Sequence, residues 1–215
     1  MIKYSILLLV FYTSGINAQN ATPAVTLSHY VLDSFTKGKV LLKSGMVSEQ
    51  TLNYNILTGE MIFDAGGKYL AIAEPESVET VFIRERQFVP VNNRFYELLT
   101  HTASPLFVEF TYTIEQPGSS LGYEMVSNTT ASTSLKTLIR TGGAYDLKLP
   151  GNFKIKPGYA YWILKEGKYQ KAYNAQQISK VFPDKKSLLN TLLKKSHSNL
   201  SKKEHIIALV QQLQQ

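Results

Sequence analysis

Four His and no Cys settle most of the chemistry open to this chain. Without a thiol there is no cysteine nucleophile, no thiolate metal site and no disulfide. His29, His101, His197 and His205 remain, and the nearest pair, His197 and His205, is eight residues apart across an expected helix start. Zinc sites use shorter, clustered spacings, so neither metal nor cofactor is expected. His101, between Thr100 and Thr102, is the His placed to face a cleft, although a lone His is more often structural. No GxSxG occurs, and Gly66-Gly67 and Gly142-Gly143 are bare turn pairs rather than phosphate cradles. Glu74 with Glu76, and Glu109 with Glu115, imitate a glycosidase dyad, but their strand positions read as solvent-facing surface. No catalytic residue is assigned. Ser and Thr between 127 and 134 suit glycan attachment or ligand contact no better than polar loop filler. The densest aromatic group is Tyr159, Tyr161, Trp162, Tyr169 and Tyr173. It packs a sheet face or offers a platform to a ligand or glycan, and these five are the candidate binding residues.

The elements that must position these groups are mostly strands. Thirteen Tyr, ten Phe and one Trp, with 44% hydrophobic and 18% charged residues, suit a folded, half-buried sheet. Lys37 to Phe63 is the clearest run: Gly38 to Lys43 and Val47 to Tyr54 flank the turn at Ser44-Gly45, and Leu57-Thr58-Gly59 leads into Glu60 to Phe63. Within it Leu52, Tyr54 and Ile56 alternate with Asn53 and Asn55, which predicts one buried face. Further strands are expected at Val25 to Tyr30, Tyr69 to Ala73, Val78 to Arg84, Gln87 to Val91, Arg94 to Thr100 and Leu106 to Glu115. Pro90 argues that its strand ends there or lies at an edge. Asn92-Asn93 and Glu166-Gly167 are hairpin turns. Gln116 to Tyr145, rich in Gly, Ser, Thr and Asn, reads as a long mobile loop. Strand character resumes at Tyr145 to Leu149, Asn152 to Lys156, Ala160 to Leu164 and Tyr169 to Tyr173.

From Asn174 the period changes to that of amphipathic helices. Asn174 with Gln177 caps the first, Pro183-Asp184 separates it from a leucine-striped second, and Ser201 to Glu204 reads as a capping box for the third. The fold expectation is α+β, mainly antiparallel: a curled sheet, sandwich or partial barrel over 24–173, closed by three short helices over 174–215. At the other end Met1 to Ala18 carries one Lys and an apolar core too short to span a bilayer, which reads as a signal peptide, followed by a flexible lead-in over 19–23.

Net charge is +7, unevenly spread. Gln19 to Leu149 holds ten Lys plus Arg against thirteen Asp plus Glu, or −3, whereas Pro150 to Gln215 holds twelve Lys against three acids, or +9. The basic tail contains no Arg, and an exported chain seldom meets nucleic acid, so no nucleic-acid partner is expected. Solvated helix faces on an acidic body explain the split, with contact to anionic lipid as the sharper alternative.

The motifs GKVLLKSG, LNYNILTGEM, FYELL at Phe95 to Leu99, YDLKLPGNFKIKP and VFPDKKSLLNTLLKK together resemble uncharacterised exported β-rich proteins of Bacteroidota with a C-terminal helical tail. The resemblance rests on packing and turn residues over most of the chain after the signal. It implies architecture and a periplasmic or cell-surface location, and brings no catalytic residues. The functional expectation is a non-enzymatic binding or interaction protein of the cell envelope, its partner an envelope protein or glycan. A hydrolase of envelope polymers is the alternative, and a small outer-membrane barrel a third reading.

Overall fold

Strand β8, Leu106–Glu115, sets the architecture because its alternation sorts residues onto two faces. Leu106, Val108, Phe110 and Tyr112 join one hydrophobic cluster, while Phe107 joins another. The computed structural model describes residues 29–115, 135–150, 154–196 and 199–215. The expected signal peptide and lead-in, most of the expected strand at Val25 to Tyr30, residues 116–134 of the expected long loop and His197 lie outside the described residues.

The strands are β1 (Thr36–Leu42), β2 (Val47–Asn55), β3 (Glu60–Asp64), β4 (Tyr69–Ala71), β5 (Val78–Ile83), β6 (Arg86–Val91), β7 (Arg94–Leu98), β8, β9 (Lys154–Lys165) and β10 (Lys168–Lys171). They form one open antiparallel sheet ordered β10-β9-β8-β7-β6-β5-β1-β2-β3-β4. Two meanders, β1 to β4 and β5 to β10, are thus joined along the β1–β5 pairing. The sheet curls without closing: the turn after β2 reaches β7, where the Phe95 amide donates to the Gly59 carbonyl at 3.1 Å. Gly59 has a φ of +79°, a left-handed conformation that favours glycine, and the Arg94 guanidinium packs against it.

Turn chemistry follows the sequence at the tight hairpins. Asn92 and Asn93 both adopt positive φ, as do Glu166 and Gly167. Of the two expectations for Pro90 the edge one is corrected, since β6 is interior, while the strand does end one residue past it at Val91. Its ladder with β5 stops at Phe88, so by position 90 the proline has no neighbour on that side that needs its missing N–H.

Helix α1 (135–140) and a 3-10 turn at Gly143–Tyr145 correct two expectations, the loop continuing to Tyr145 and the strand at Tyr145 to Leu149. Leu135, Ala144 and Leu149 bury with Leu57, so this segment has an apolar seat of its own. The strands expected at Asn152 to Lys156 and Ala160 to Leu164 are one, β9, paired with β8 from Leu106↔Ile163 to Glu115↔Lys154. Three helices close the chain: α2 (Ala175–Val181), α3 (Lys186–Ser196) and α4 (Lys203–Leu213). Asn174 caps α2 by accepting from the Gln177 amide at 2.9 Å. Helix α4 has no side-chain cap, so the capping box expected at Ser201 does not form. Ile178, Val181, Leu189, Ile206, Leu209, Val210 and Leu213 merge with Val81, Ile83, Phe88 and Val108 in the main core, and the tail therefore covers one face of the sheet. No helix among the described residues is long and apolar enough to cross a membrane.

Candidate functional site

Two polar constructions stand out, and the first is structural. Leu52-Asn53-Tyr54-Asn55 is buried on both faces, correcting the expectation of one exposed face. The Asn53 side chain accepts from the amides of Leu32 at 3.0 Å and Tyr54 at 2.8 Å and donates to the Leu32 carbonyl at 2.9 Å. Asn55 donates to the Ala144 carbonyl and accepts from the Leu57 amide at 2.9 Å. Each amide thus replaces backbone partners that a neighbouring strand would otherwise supply. Tyr30 donates through its hydroxyl to the Tyr145 carbonyl at 2.7 Å, and buried His29 Nε2 lies 2.9 Å from the Asp146 carbonyl. Burial lowers the His29 pKa, and a carbonyl partner for Nε2 assigns the proton of the neutral ring there. The four residues therefore staple the segments around Leu32 and Ala144 to β2.

The second construction is a cleft of about 420 Å³ on the helix-covered side of the sheet. Strands β6 and β7 bring Arg86 and Glu97 together, and α4 contributes Lys203. Arg86 donates bidentately to Glu97, Nε to Oε1 at 3.0 Å and a terminal nitrogen to Oε2 at 2.9 Å. Lys203 Nζ donates to the same two oxygens at 3.1 and 3.2 Å. The carboxylate is nearly inaccessible, with 5% side-chain exposure. Such a charge is tolerable only when its lone pairs are filled, and here four donors fill them. The Arg86 guanidinium also lies 5.2 and 5.4 Å from the ring centres of Phe88 and Phe110. Val108 and Phe110 give the cleft an apolar floor, and Tyr159, 53% exposed, stands at its mouth with its ring edge-on to Phe110.

The five aromatic candidates do not form one platform. Tyr159 and Tyr161 lie on the helix-covered face, whereas Trp162 and Tyr169 pack with Tyr96 and Phe107 on the other. Tyr173 is exposed just before α2. Alternation along β9 forces the split, because neighbours in a strand point to opposite sides. Only Tyr159 of the five lines the cleft. Tyr161 is buried across from Val108, and its hydroxyl has no hydrogen-bond partner among the described residues. Burial first, then the neighbouring charges of Tyr159, Glu204 and Glu97, push that hydroxyl up to about 12.

Glu109 is another correction. It is not on solvated surface but accepts from Trp162 Nε1 at 3.0 Å and pairs with Arg94 Nε at 3.6 Å, its side chain 17% exposed. His101 is exposed and does not line this cleft, and His205 accepts from the Asn199 amide at 3.0 Å. No group of three or more His, Asp or Glu able to hold a metal occurs among the described residues. Sequence reasoning missed Arg86 and Glu97 and placed Lys203 only among the tail lysines able to meet anionic lipid. One signal was present, Glu97 between Tyr96 and Leu98 in a strand where alternation gives it to the core side; Arg86 lies on the neighbouring strand, but Lys203 is 106 residues away.

An open, curled antiparallel sheet with a helical tail over one face and a charged cleft at the join defines the structural class. Comparison with protein-family models, with curated proteins and with solved structures finds no match to this chain.

Proposed function

We propose that this chain is a non-enzymatic binding or interaction protein, exported to the periplasm or cell surface. The leader reading of Met1 to Ala18 supports export, and the resemblance to exported Bacteroidota proteins supports an envelope setting. One observation carries the non-enzymatic part. Among the described residues the cleft's sole carboxylate is saturated by Arg86 and Lys203, and no Ser, Thr, Cys or His lines the cleft. A general base needs a free lone pair facing substrate, and Glu97 has spent its own on two cations. What remains is an apolar floor beneath fixed charge, the composition of a recognition site.

Incubating the purified chain with isolated bacterial envelope tests this reading. Retention on envelope material without release of soluble fragments is expected. Time-dependent release of fragments that ceases in Glu97→Gln would overturn it in favour of a hydrolase.

A further inference from the structure

The cleft is unbalanced in hydrogen-bonding groups. Arg86 spends two of its three guanidinium nitrogens on Glu97, and Lys203 carries three N–H groups. Against these donors stands one carboxylate, already filled. Two cations and one anion leave a single positive charge where the wall meets an apolar floor.

We propose that the cleft takes a small monocarboxylate with an apolar body, a deepening that rests on the binding reading above. The ligand's carboxylate accepts from Lys203 and from the outward side of Arg86, neutralising the surplus charge. The apolar body lies on Val108 and Phe110 and is flanked by Tyr159, whose exposed ring loses solvent contact on binding. A volume of about 420 Å³ falls in the range of small-molecule pockets, about 300–1,000 Å³. An inorganic anion would use the charge and waste the floor; a neutral amide would use the floor and waste the charge.

Calorimetric titration of the full chain with octanoate, 4-phenylbutyrate, octanamide and inorganic phosphate tests the assignment. Saturable binding of either carboxylate, at least about tenfold tighter than octanamide and phosphate, is expected, which corresponds to one charged contact. Lys203→Gln and Tyr159→Ala should each weaken carboxylate binding about tenfold while the protein stays folded by circular dichroism. Glu97→Gln removes the competing anion and should tighten binding, a result that a purely structural ion pair does not produce. Should Glu97→Gln fail to fold, the Lys203 and Tyr159 variants decide the matter. Equal affinity for octanoate and octanamide, affinity unmoved by both variants, or no binding of any probe overturns the proposal. If octanamide or phosphate proves the better ligand and Tyr159→Ala abolishes its binding, the carboxylate assignment fails and the binding reading stands. Release of envelope fragments in the assay above makes the binding reading itself fail.

Discussion

Asn53 makes more of the fold's non-local connections than its size suggests. It satisfies the amide and the carbonyl of Leu32 and the amide of Tyr54 while fully buried. Asn53→Leu keeps the number and branching of heavy atoms, adds methyl bulk and deletes three hydrogen bonds, so unfolding in urea should show a loss of about 2–4 kcal/mol. His29 carries a pH signature. Burial holds its pKa below the ordinary 6.5, so below that value the unfolded chain binds a proton that the folded chain refuses. Its contribution is therefore complete above about pH 6.5 and is lost as pH falls toward the lower folded value. Thermal melts from about pH 7.5 down to about pH 5 should show a declining midpoint, and His29→Gln should flatten that decline. LNYN was legible as a feature, but its face was not. Alternation assigns Asn to solvent, and only the segments around Leu32 and Ala144, far away in sequence, turn that solvent face into a second interior.

At the level of elements, local codes were legible and partnerships were not. Strand β8, the hairpins at Asn92-Asn93 and Glu166-Gly167, and the α2 cap at Asn174 all depend on near neighbours, and each forms as its residues dictate. Strand β9 carries Pro157-Gly158 between the two strands expected from sequence. Continuous pairing with β8 from Lys154 to Ile163 carries the strand through that dipeptide. Glu166 occupies a left-handed conformation, φ 53°, with an exposed side chain. Glu166→Asn should relieve backbone strain and raise stability by about 0.5–1 kcal/mol in a denaturant titration. Helix α4 is held by burial, with Leu209 3% exposed in the main core. Gln214, just beyond it, donates to the Ser104 carbonyl at 2.9 Å and accepts from the Ser104 amide at 2.7 Å. Leu209→Ala should cost about 2–4 kcal/mol by the same titration, and because α4 carries Lys203 it should also loosen the cleft.

Across the whole molecule, opposite charge in body and tail acquires a specific meaning. Lys203 of the basic tail closes on Glu97 of the acidic body, and Lys165 Nζ donates to the Val181 carbonyl at 2.7 Å. The tail is thus fastened by leucine-type burial and by a few placed cations rather than by its net charge. The curled sheet brings β6, β7 and α4 to one place, and that assembly of distant residues is why the cleft was invisible in the sequence while the aromatic run, contiguous in β9 and β10, was conspicuous. The central claim is that recognition occurs at this cleft and not on the opposite aromatic face. Amide chemical shifts recorded during titration with octanoate test it most directly. The account predicts the largest changes at Arg86, Glu97, Phe110, Tyr159 and Lys203, with little movement at Trp162, Tyr169 and Lys171. Shifts centred on Trp162 and Tyr169, or none at saturating ligand, would contradict it.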